Sequence, residues 1–342
     1  MAKASGGAGD QGMSAAEPTM HNGPGAATSD DVAADMGRAQ ALLRARLAPD
    51  AEVVRPLFGG FFSRAFACTA DGRDYVLRLS VAPQAAESFA KDAYAGRHFA
   101  SPALPIPGVF LVGTTDVAEE RFAISALVPG QTLENADRAA RRLALPALLD
   151  TIDAIGRVDV GDSRGFGMWN ETGDAPFATW TAFLAAADEN ETKGYYRDWH
   201  TLFEGMLERD LYGAVYRRLR QHLAHVPEVR GLIHDDLWFQ NVLADGARIT
   251  GVIDWGNALY GDPFYDTARL MWGADWPGWY EDGAAILAAR YGALPGFATR
   301  LACYQCHLGL NDLRFYAQNR KVEEYGWARA RLRALIAGPI TE

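Results

Sequence analysis

The chain has 342 residues, 49% hydrophobic and 22% charged, a composition typical of a globular protein with length for roughly two domains. Its 43 acidic residues exceed its 33 lysines and arginines, and the net charge of −10 disfavours nucleic acid as a partner. The acidic excess suits a cationic ligand, and since no run of about 18 apolar residues occurs, no membrane span is predicted.

Residues 1–36 are predicted to be a disordered tail, because they are rich in Gly, Ala, Ser and Asp and have no hydrophobic period. They contain no apolar segment of the secretory kind, so we expect a cytoplasmic protein. The three cysteines are too few for a disulfide framework and indicate reduced thiols. We expect a monomer without a nucleic-acid or membrane partner.

Residues 37–128 are predicted to form a small N-terminal lobe with an antiparallel sheet and a helix. A helix-like "AQALLRARL" precedes two strands joined by the turn "DG", and a second helix then separates these from two further strands. Strands before and after one helix are typical of an α+β lobe. The predicted segments after the first helix are "FFSRAFACTA", "DYVLRLSVA", "AESFAKDAYAGRHFA", "GVFLVGT" and "RFAISALV".

Residues 129–342 are predicted to form a larger, mainly helical lobe. Its long helical segments are interrupted by two short strand-like runs in "NVLADGARITGVIDW". The stretch "CYQCH" at residues 303–307 matches the C-x-x-C-H pattern of covalent haem attachment. Because Leu301, Tyr304 and Leu308 recur around it at helical spacing, and no export signal is present, an amphipathic helix is the favoured interpretation.

The stretch "HDDLWFQN" at residues 234–241 has the spacing H-x-D-x-x-x-x-N of a protein-kinase catalytic loop. This spacing makes Asp236 the catalytic candidate and leaves Asp235 in a variable position. The two strand-like runs that follow resemble a hairpin that brings Asn241 and Asp254 together. Carboxylate and amide oxygens are hard donors, so these two residues suit Mg²⁺. We expect His234 to be structural, holding the loop through a backbone hydrogen bond.

Other parts of a phosphotransferase occur in the expected order along the chain. In "FGGFFSRAF", Gly59 and Gly60 let the backbone and Ser63 approach phosphates, although an ordinary hairpin turn explains the same glycines. The strand "YVLRLS" then projects the cation of Arg78, and acids follow on the next helix. A lone loop aspartate is usually a turn residue, but the complete order favours phosphoryl transfer.

The stretches "HDDLWFQNVL", "GVIDW" and "GDPFYDTARL" resemble the aminoglycoside phosphotransferase family of small-molecule kinases. The resemblance covers residues from about 50 to 336. It implies a bilobal, protein-kinase-like fold that binds ATP and Mg²⁺ in its cleft. It also implies transfer of the γ-phosphoryl group to a hydroxyl of an aminoglycoside or aminocyclitol antibiotic, such as hygromycin B, which confers resistance.

The resemblance also implies roles for individual residues. Asp236 is then the base that orients the acceptor hydroxyl, and Asn241 and Asp254 hold Mg²⁺. The backbone from Ala126 to Val128 forms the adenine hinge. Asp266, in "GDPFYD", braces the catalytic loop by accepting hydrogen bonds.

The chain departs from the family pattern in the nucleotide site. Many members have a lysine where this chain has Arg78, which keeps the charge and adds a planar fork for phosphates. Its partner acid is predicted to be Asp92, with Glu87 as the alternative.

The acceptor site is the least determined by the sequence. Because a polycationic substrate needs carboxylates, the candidates from the helical lobe are Asp188, Glu189, Asn311 and Asp312, each of which is also explained as a solvated charge. Trp238 either shapes the acceptor pocket or packs under the loop. Two rival functions remain open: a kinase of the same fold for a metabolite or macrolide, and a non-catalytic nucleotide-binding protein.

Overall fold

The computed structural model describes residues 29–57, 61–274, 276 and 282–338. Within these ranges, the strands of the first lobe form one five-stranded antiparallel sheet, in the order first, second, third, fifth, fourth. Its elements, in chain order, are α1 (Ser29–Arg46), β1 (Glu52–Leu57), β2 (Arg64–Ala70), β3 (Arg73–Ser80), α2 (Ala85–His98), β4 (Val109–Thr114) and β5 (Arg121–Ala126).

The β2–β3 hairpin forms as predicted because Asp71 and Gly72 both adopt the left-handed conformation that a tight turn requires. Along β3, Tyr75, Leu77 and Leu79 alternate with more exposed residues and enter the core of the lobe. Strand β1 is absent from the sequence prediction. Its exposure does not alternate regularly, so the pattern offers no period-two signal.

Helix α1 corrects the predicted boundary of the tail, which placed residues 29–36 in a disordered segment. The helix begins at Ser29, and Asp35 in its second turn forms an ion pair with Arg64 of β2. Arg64 also donates to Glu120 over 2.6 Å. These contacts attach the helix to the sheet. Residues 1–28 of the predicted tail lie outside the described residues.

The second lobe is mainly helical. Its elements are β6 (Gln131–Thr132), α3 (Arg138–Gly156), β7 (Gly167–Met168), α4 (Trp180–Ala185), α5 (Arg209–His222), β8 (Gly231–Ile233), β9 (Val242–Asp245), β10 (Arg248–Val252), β11 (Leu259–Gly261), α6 (Phe264–Trp272), α7 (Gly283–Tyr291), α8 (Phe297–Gln318) and α9 (Val322–Ala337). The described strands of this lobe form two small three-stranded sheets, ordered β10-β9-β6 and β7-β11-β8. Among the helices of the described ranges, none is long and apolar enough to cross a membrane.

The predicted hairpin after the catalytic loop is confirmed by the pairing of β9 with β10. Val242 lies opposite Val252, and just beyond this pair the Ile253 amide donates to the Asn241 carbonyl over 3.0 Å. Asp254 therefore follows directly after a residue that is hydrogen-bonded to Asn241. The hairpin places the two predicted metal ligands next to each other.

The "CYQCH" stretch lies within α8, as the helical period predicts. Cys303 and Cys306 are fully buried in the core of the larger lobe, where a covalently attached haem has no access. His307 is also buried, and its Nδ1 accepts a 2.7 Å hydrogen bond from the Tyr265 hydroxyl. This histidine is a core residue that packs α8 against α6.

Replacing His307 with glutamine should flatten the pH dependence of stability. Burial, with the charges of Arg314 and Arg269, lowers the pKa of His307 to about 3. The unfolded chain binds its proton near pH 6.5, so the folded state loses stability as the pH falls below that value. The advantage of wild type over His307→Gln should shrink by about 1.4 kcal/mol per pH unit between roughly pH 6 and 4. Urea unfolding at several pH values measures this difference in the free energy of unfolding, and His225→Gln, at an exposed position, is the control.

Candidate active site

The catalytic loop follows β8 and is held in place by the carboxylate of Asp266, at the start of α6. One carboxylate oxygen of Asp266 accepts the His234 amide at 2.9 Å, and the other accepts the Asp235 amide at 2.8 Å. The loop must turn sharply here, because Asp235 has a left-handed backbone with φ of 63°. The contacts are those expected of a brace for the loop.

His234 is completely buried and hydrogen-bonded through both ring nitrogens. Its Nδ1 accepts the Asp236 amide at 3.2 Å, so its Nε2 carries the proton and donates to the Ile253 carbonyl at 3.0 Å. Burial lowers the pKa of His234 to about 4, which keeps the ring neutral. The neutral ring joins the catalytic loop to the end of the β9–β10 hairpin, consistent with the predicted structural role.

Asp236 is held by the asparagine of its own motif. The Asn241 side-chain nitrogen donates to the Asp236 carbonyl and to its Oδ2, both at 2.9 Å. Asn241 is buried, and its amide oxygen is the atom left to face a cation. Burial and the nearby Asp254 carboxylate raise the pKa of Asp236. The charge of a bound cation would lower this pKa again and keep the carboxylate ionised.

Asp254 adopts a left-handed backbone, with φ of 65°, and the residue is exposed. Desolvation and, to a smaller extent, repulsion from Asp92 raise the pKa of Asp254. Asp254 also repels Asp236, so negative charge is concentrated here, although nearby cations act in the opposite direction. With the Asn241 amide oxygen, these hard donors fit a magnesium ion.

Asp235, adjacent to the catalytic candidate, belongs to a buried ion-pair network. Arg269 donates to Asp235 and to Asp312, each at 3.0 Å. The second oxygen of Asp312 accepts the Trp272 indole nitrogen at 2.7 Å. The Asp235 carboxylate therefore has a direct arginine partner, whereas no arginine of the described ranges forms an ion pair with Asp236. This difference supports the choice of Asp236 that spacing made.

The predicted cation of the nucleotide site, Arg78, forms an ion pair with Asp92 of α2. Glu87, the alternative partner, is exposed. The other oxygen of Asp92 accepts the Trp255 amide at 2.7 Å. A single carboxylate therefore joins β3, α2 and the segment that follows Asp254.

The predicted adenine hinge connects the two lobes. The Ala126 amide donates to the Gly108 carbonyl at 2.9 Å, and the next amide, of Leu127, donates to the Asp74 carbonyl at 3.2 Å. These contacts leave the Ala126 carbonyl and the Val128 amide as the groups suited to adenine. Their role stays a prediction.

The predicted phosphate loop is only partly described. Ser63 is partly buried and directly precedes the second strand, and Gly59 and Gly60 lie outside the described residues. The backbone before Ser63 is anchored, because the Ser80 hydroxyl donates to the Phe62 carbonyl at 2.6 Å. The rings of Phe61 and Phe62 contact those of Phe315 and Tyr195 in the other lobe, with centroids 5.5 and 5.2 Å apart.

The candidate acceptor residues fall into two groups. Trp238 and Asp312 both lie beside Arg269, close to the catalytic loop, with the Trp238 ring 6.0 Å from the guanidinium. Asn311 contacts buried Arg314 through a 2.6 Å hydrogen bond. Asp188 and Glu189 are exposed near the end of α4, and no hydrogen bond or ion pair within the described ranges joins them to the catalytic loop.

Two charged residues of the site escaped the sequence analysis. Arg269 lies one helical turn after Asp266, a spacing that places both on the face of α6 toward the loop. Lys91 directly precedes Asp92 and is fully buried. In both cases the sequence signal for a site residue was a pair of opposite charges within an otherwise apolar helical segment, Asp266 with Arg269 and Lys91 with Asp92.

Comparison with known proteins places this site in a family. The sequence profile of APH, the phosphotransferase enzyme family, matches residues 53–303. The chain is 32% identical to hygromycin-B 4-O-kinase of Escherichia coli over 275 residues, which are 80% of this chain and 77% of that protein.

Solved structures with a similar fold agree. A thermostable mutant of aminoglycoside phosphotransferase APH(4)-Ia, in ternary complex with AMP-PNP and hygromycin B, superposes with a TM-score of 0.78 at 30% identity, covering 87% of this chain and 97% of that one. Aminoglycoside 2'-phosphotransferase-IIIa in complex with GDP shares the fold, with a TM-score of 0.60 at 16% identity over 89% of this chain and 99% of that one. The predicted α+β, bilobal, kinase-like fold is confirmed, and the chain belongs to the APH phosphotransferase enzyme family.

Proposed function

We propose that the protein transfers the γ-phosphoryl group of ATP to a hydroxyl of hygromycin B or a closely related aminocyclitol antibiotic, and so confers resistance to it. The observation that carries the proposal is that Asp236, Asn241 and Asp254 lie close together. The chain that holds them is 30% identical in sequence to a protein of the same fold whose solved structure contains AMP-PNP and hygromycin B. The similarity to hygromycin-B 4-O-kinase supports the same substrate class.

In this proposal Asp236 orients the acceptor hydroxyl toward the γ-phosphorus and receives its proton as the new P–O bond forms and the bond from the γ-phosphorus to ADP breaks. The Asn241 amide holds Oδ2 of Asp236, so the carboxylate has a fixed orientation. Positioning of this kind supplies much of the catalysis in phosphoryl transfer, because the reaction needs in-line geometry and charge neutralisation. Asp235 cannot substitute easily, since Arg269 occupies its carboxylate.

The Asn241 amide oxygen and the Asp254 carboxylate would hold Mg²⁺, which when bound neutralises phosphate charge. Arg78, fixed by Asp92, would contact the phosphates from the small lobe. The Ala126 carbonyl and the Val128 amide would bind the adenine edge. Ser63 would lie near the phosphates.

A polycationic antibiotic requires carboxylates near its ammonium groups, and the net charge of −10 favours its approach. Asp188 and Glu189 remain available because their carboxylates are exposed. Asp312 is committed to Arg269 and Trp272, so we propose that it shapes the acceptor side of the cleft indirectly. Trp238 lies over the same arginine and would form part of the pocket wall.

Mass spectrometry of hygromycin B, beside a panel of aminoglycosides, macrolides and amino alcohols, tests the proposal after incubation with protein and Mg-ATP. We expect a single added phosphate on hygromycin B, and none with Asp236→Asn. Phosphate on a macrolide or amino alcohol alone would reject the antibiotic class while keeping the kinase chemistry. Binding of Mg-ATP without transfer to any compound would favour a non-catalytic nucleotide-binding protein.

A further inference from the structure

Helix α2 carries a lysine that has no solvent-exposed surface. The Lys91 ammonium donates to the Gly256 carbonyl at 2.7 Å and to the Ala258 carbonyl at 3.1 Å. It also lies 4.6 Å from the centre of the Trp169 ring. Among the described residues, its direct partners are thus two backbone carbonyls and an aromatic face, whereas Arg78 pairs with the carboxylate of the next residue, Asp92.

Such a group is expensive to bury. Burial lowers the pKa of Lys91 to about 8, while the charges of Glu87 and Asp92 act in the opposite direction. At neutral pH the ammonium is therefore mainly charged. An apolar residue of similar length would fill this space without losing the hydration of a charge. What such a residue cannot do is donate hydrogen bonds to the two carbonyls.

Those carbonyls belong to the segment 255–258, which directly follows Asp254. The next residue of α2, Asp92, accepts the Trp255 amide. The packing is tight as well, because a side-chain carbon on Gly256 would lie 2.6 Å from the Ser88 hydroxyl. One face of α2 therefore holds the segment by a cation, an anion and close packing.

Helix α2 is itself anchored to the larger lobe. Ala95, in the last turn of the helix, and Phe99, directly after its end, are buried in the main core of that lobe. The helix thus offers a rigid surface to the segment. Asp254 has a left-handed backbone, which aspartate adopts more readily than most residues but which still costs free energy, so the contacts of the following segment help to hold it.

We propose that Lys91 is a positioning residue for the metal site, which fixes segment 255–258 to helix α2 and thereby keeps the Asp254 carboxylate directed at the cleft. The inference rests on the metal role of Asp254 in the proposed function. Lys91 acts through the segment and does not contact nucleotide or acceptor.

The test measures Mn²⁺ affinity in the presence of AMP-PNP, with free Mn²⁺ followed by electron paramagnetic resonance. Lys91→Met keeps the length of the side chain and removes its donors. We expect Mn²⁺ to bind on the order of tenfold more weakly, as for other residues that orient metal ligands. Affinity for AMP-PNP without metal and the KM for hygromycin B should change less than about twofold. Leu332→Ala, in the distant core of α9, controls for lost stability.

Gly256→Ala provides a second route to the same segment if Lys91→Met does not fold. The added methyl meets Ser88 and should also weaken Mn²⁺ binding, whereas Lys91→Arg, which keeps a cationic donor, should retain more affinity than Lys91→Met. If folded Lys91→Met binds Mn²⁺ with wild-type affinity, the inference on Lys91 is overturned and the proposed function stands. Wild-type Mn²⁺ affinity in Gly256→Ala has the same meaning where that variant carries the test. If wild type itself binds no Mn²⁺ with AMP-PNP, the metal role of Asp254 fails and the inference with it.

Discussion

Replacing Asp236 with asparagine should lower kcat by about 10² to 10⁴-fold while the protein stays folded. Asparagine has nearly the same shape, and its side-chain oxygen can still accept the 2.9 Å hydrogen bond from Asn241. What disappears is the carboxylate that receives the proton of the acceptor hydroxyl. Because the loop geometry is retained, AMP-PNP should bind with affinity close to that of wild type.

Steady-state phosphorylation of hygromycin B measures this loss, and calorimetric titration with AMP-PNP measures nucleotide binding. Asp245→Asn, at an exposed position on the turn of the β9–β10 hairpin, is the matched control. Asp235→Asn distinguishes the roles of the two adjacent aspartates. It removes a partner of Arg269, so it should lower the free energy of unfolding and reduce kcat less than Asp236→Asn does. A larger loss of kcat in Asp235→Asn than in Asp236→Asn would assign the catalytic role to Asp235.

The sequence predicted much of the fold and the order of the site because both depend on local patterns. Period-two alternation located β3, helical periodicity located α2 and α8, and the turn residues located the hairpins. The spacing within the catalytic loop singled out Asp236 and Asn241, and their side chains are in contact.

Contacts between distant parts of the chain were not predictable in the same way. Lys91 reaches carbonyls more than 160 positions away, and Arg269 joins residues on both sides of it in sequence. The sequence makes Asp312 a candidate ligand for the antibiotic because it is an acid in the helical lobe. Local spacing does not reveal that it is buried and paired with an arginine.

Replacing Arg269 with methionine should destabilise the protein by about 3 to 5 kcal/mol, because two buried carboxylates then lose their common cation. Arg269 is 7% exposed, and its charge opposes the rise in pKa that burial imposes on Asp235 and Asp312. Without it both carboxyl pKa values should rise further in the folded state. The folded variant then binds more protons than folded wild type, so the penalty should grow as the pH rises above the raised pKa values that the two carboxyls have in wild type.

Urea unfolding at several pH values measures this penalty. Arg333→Met removes an arginine from a partly exposed pair with Glu208 and should cost less than about 1 kcal/mol, since solvent screens that pair. Combining Arg269→Met with Asp235→Asn and Asp312→Asn should recover part of the stability, because neutral amides need no cation. An Arg269→Met penalty as small as that of Arg333→Met, or one independent of pH, would show that these carboxylates do not depend on Arg269. The network would then be unable to explain why Asp236, rather than Asp235, is the carboxylate free to act on the acceptor.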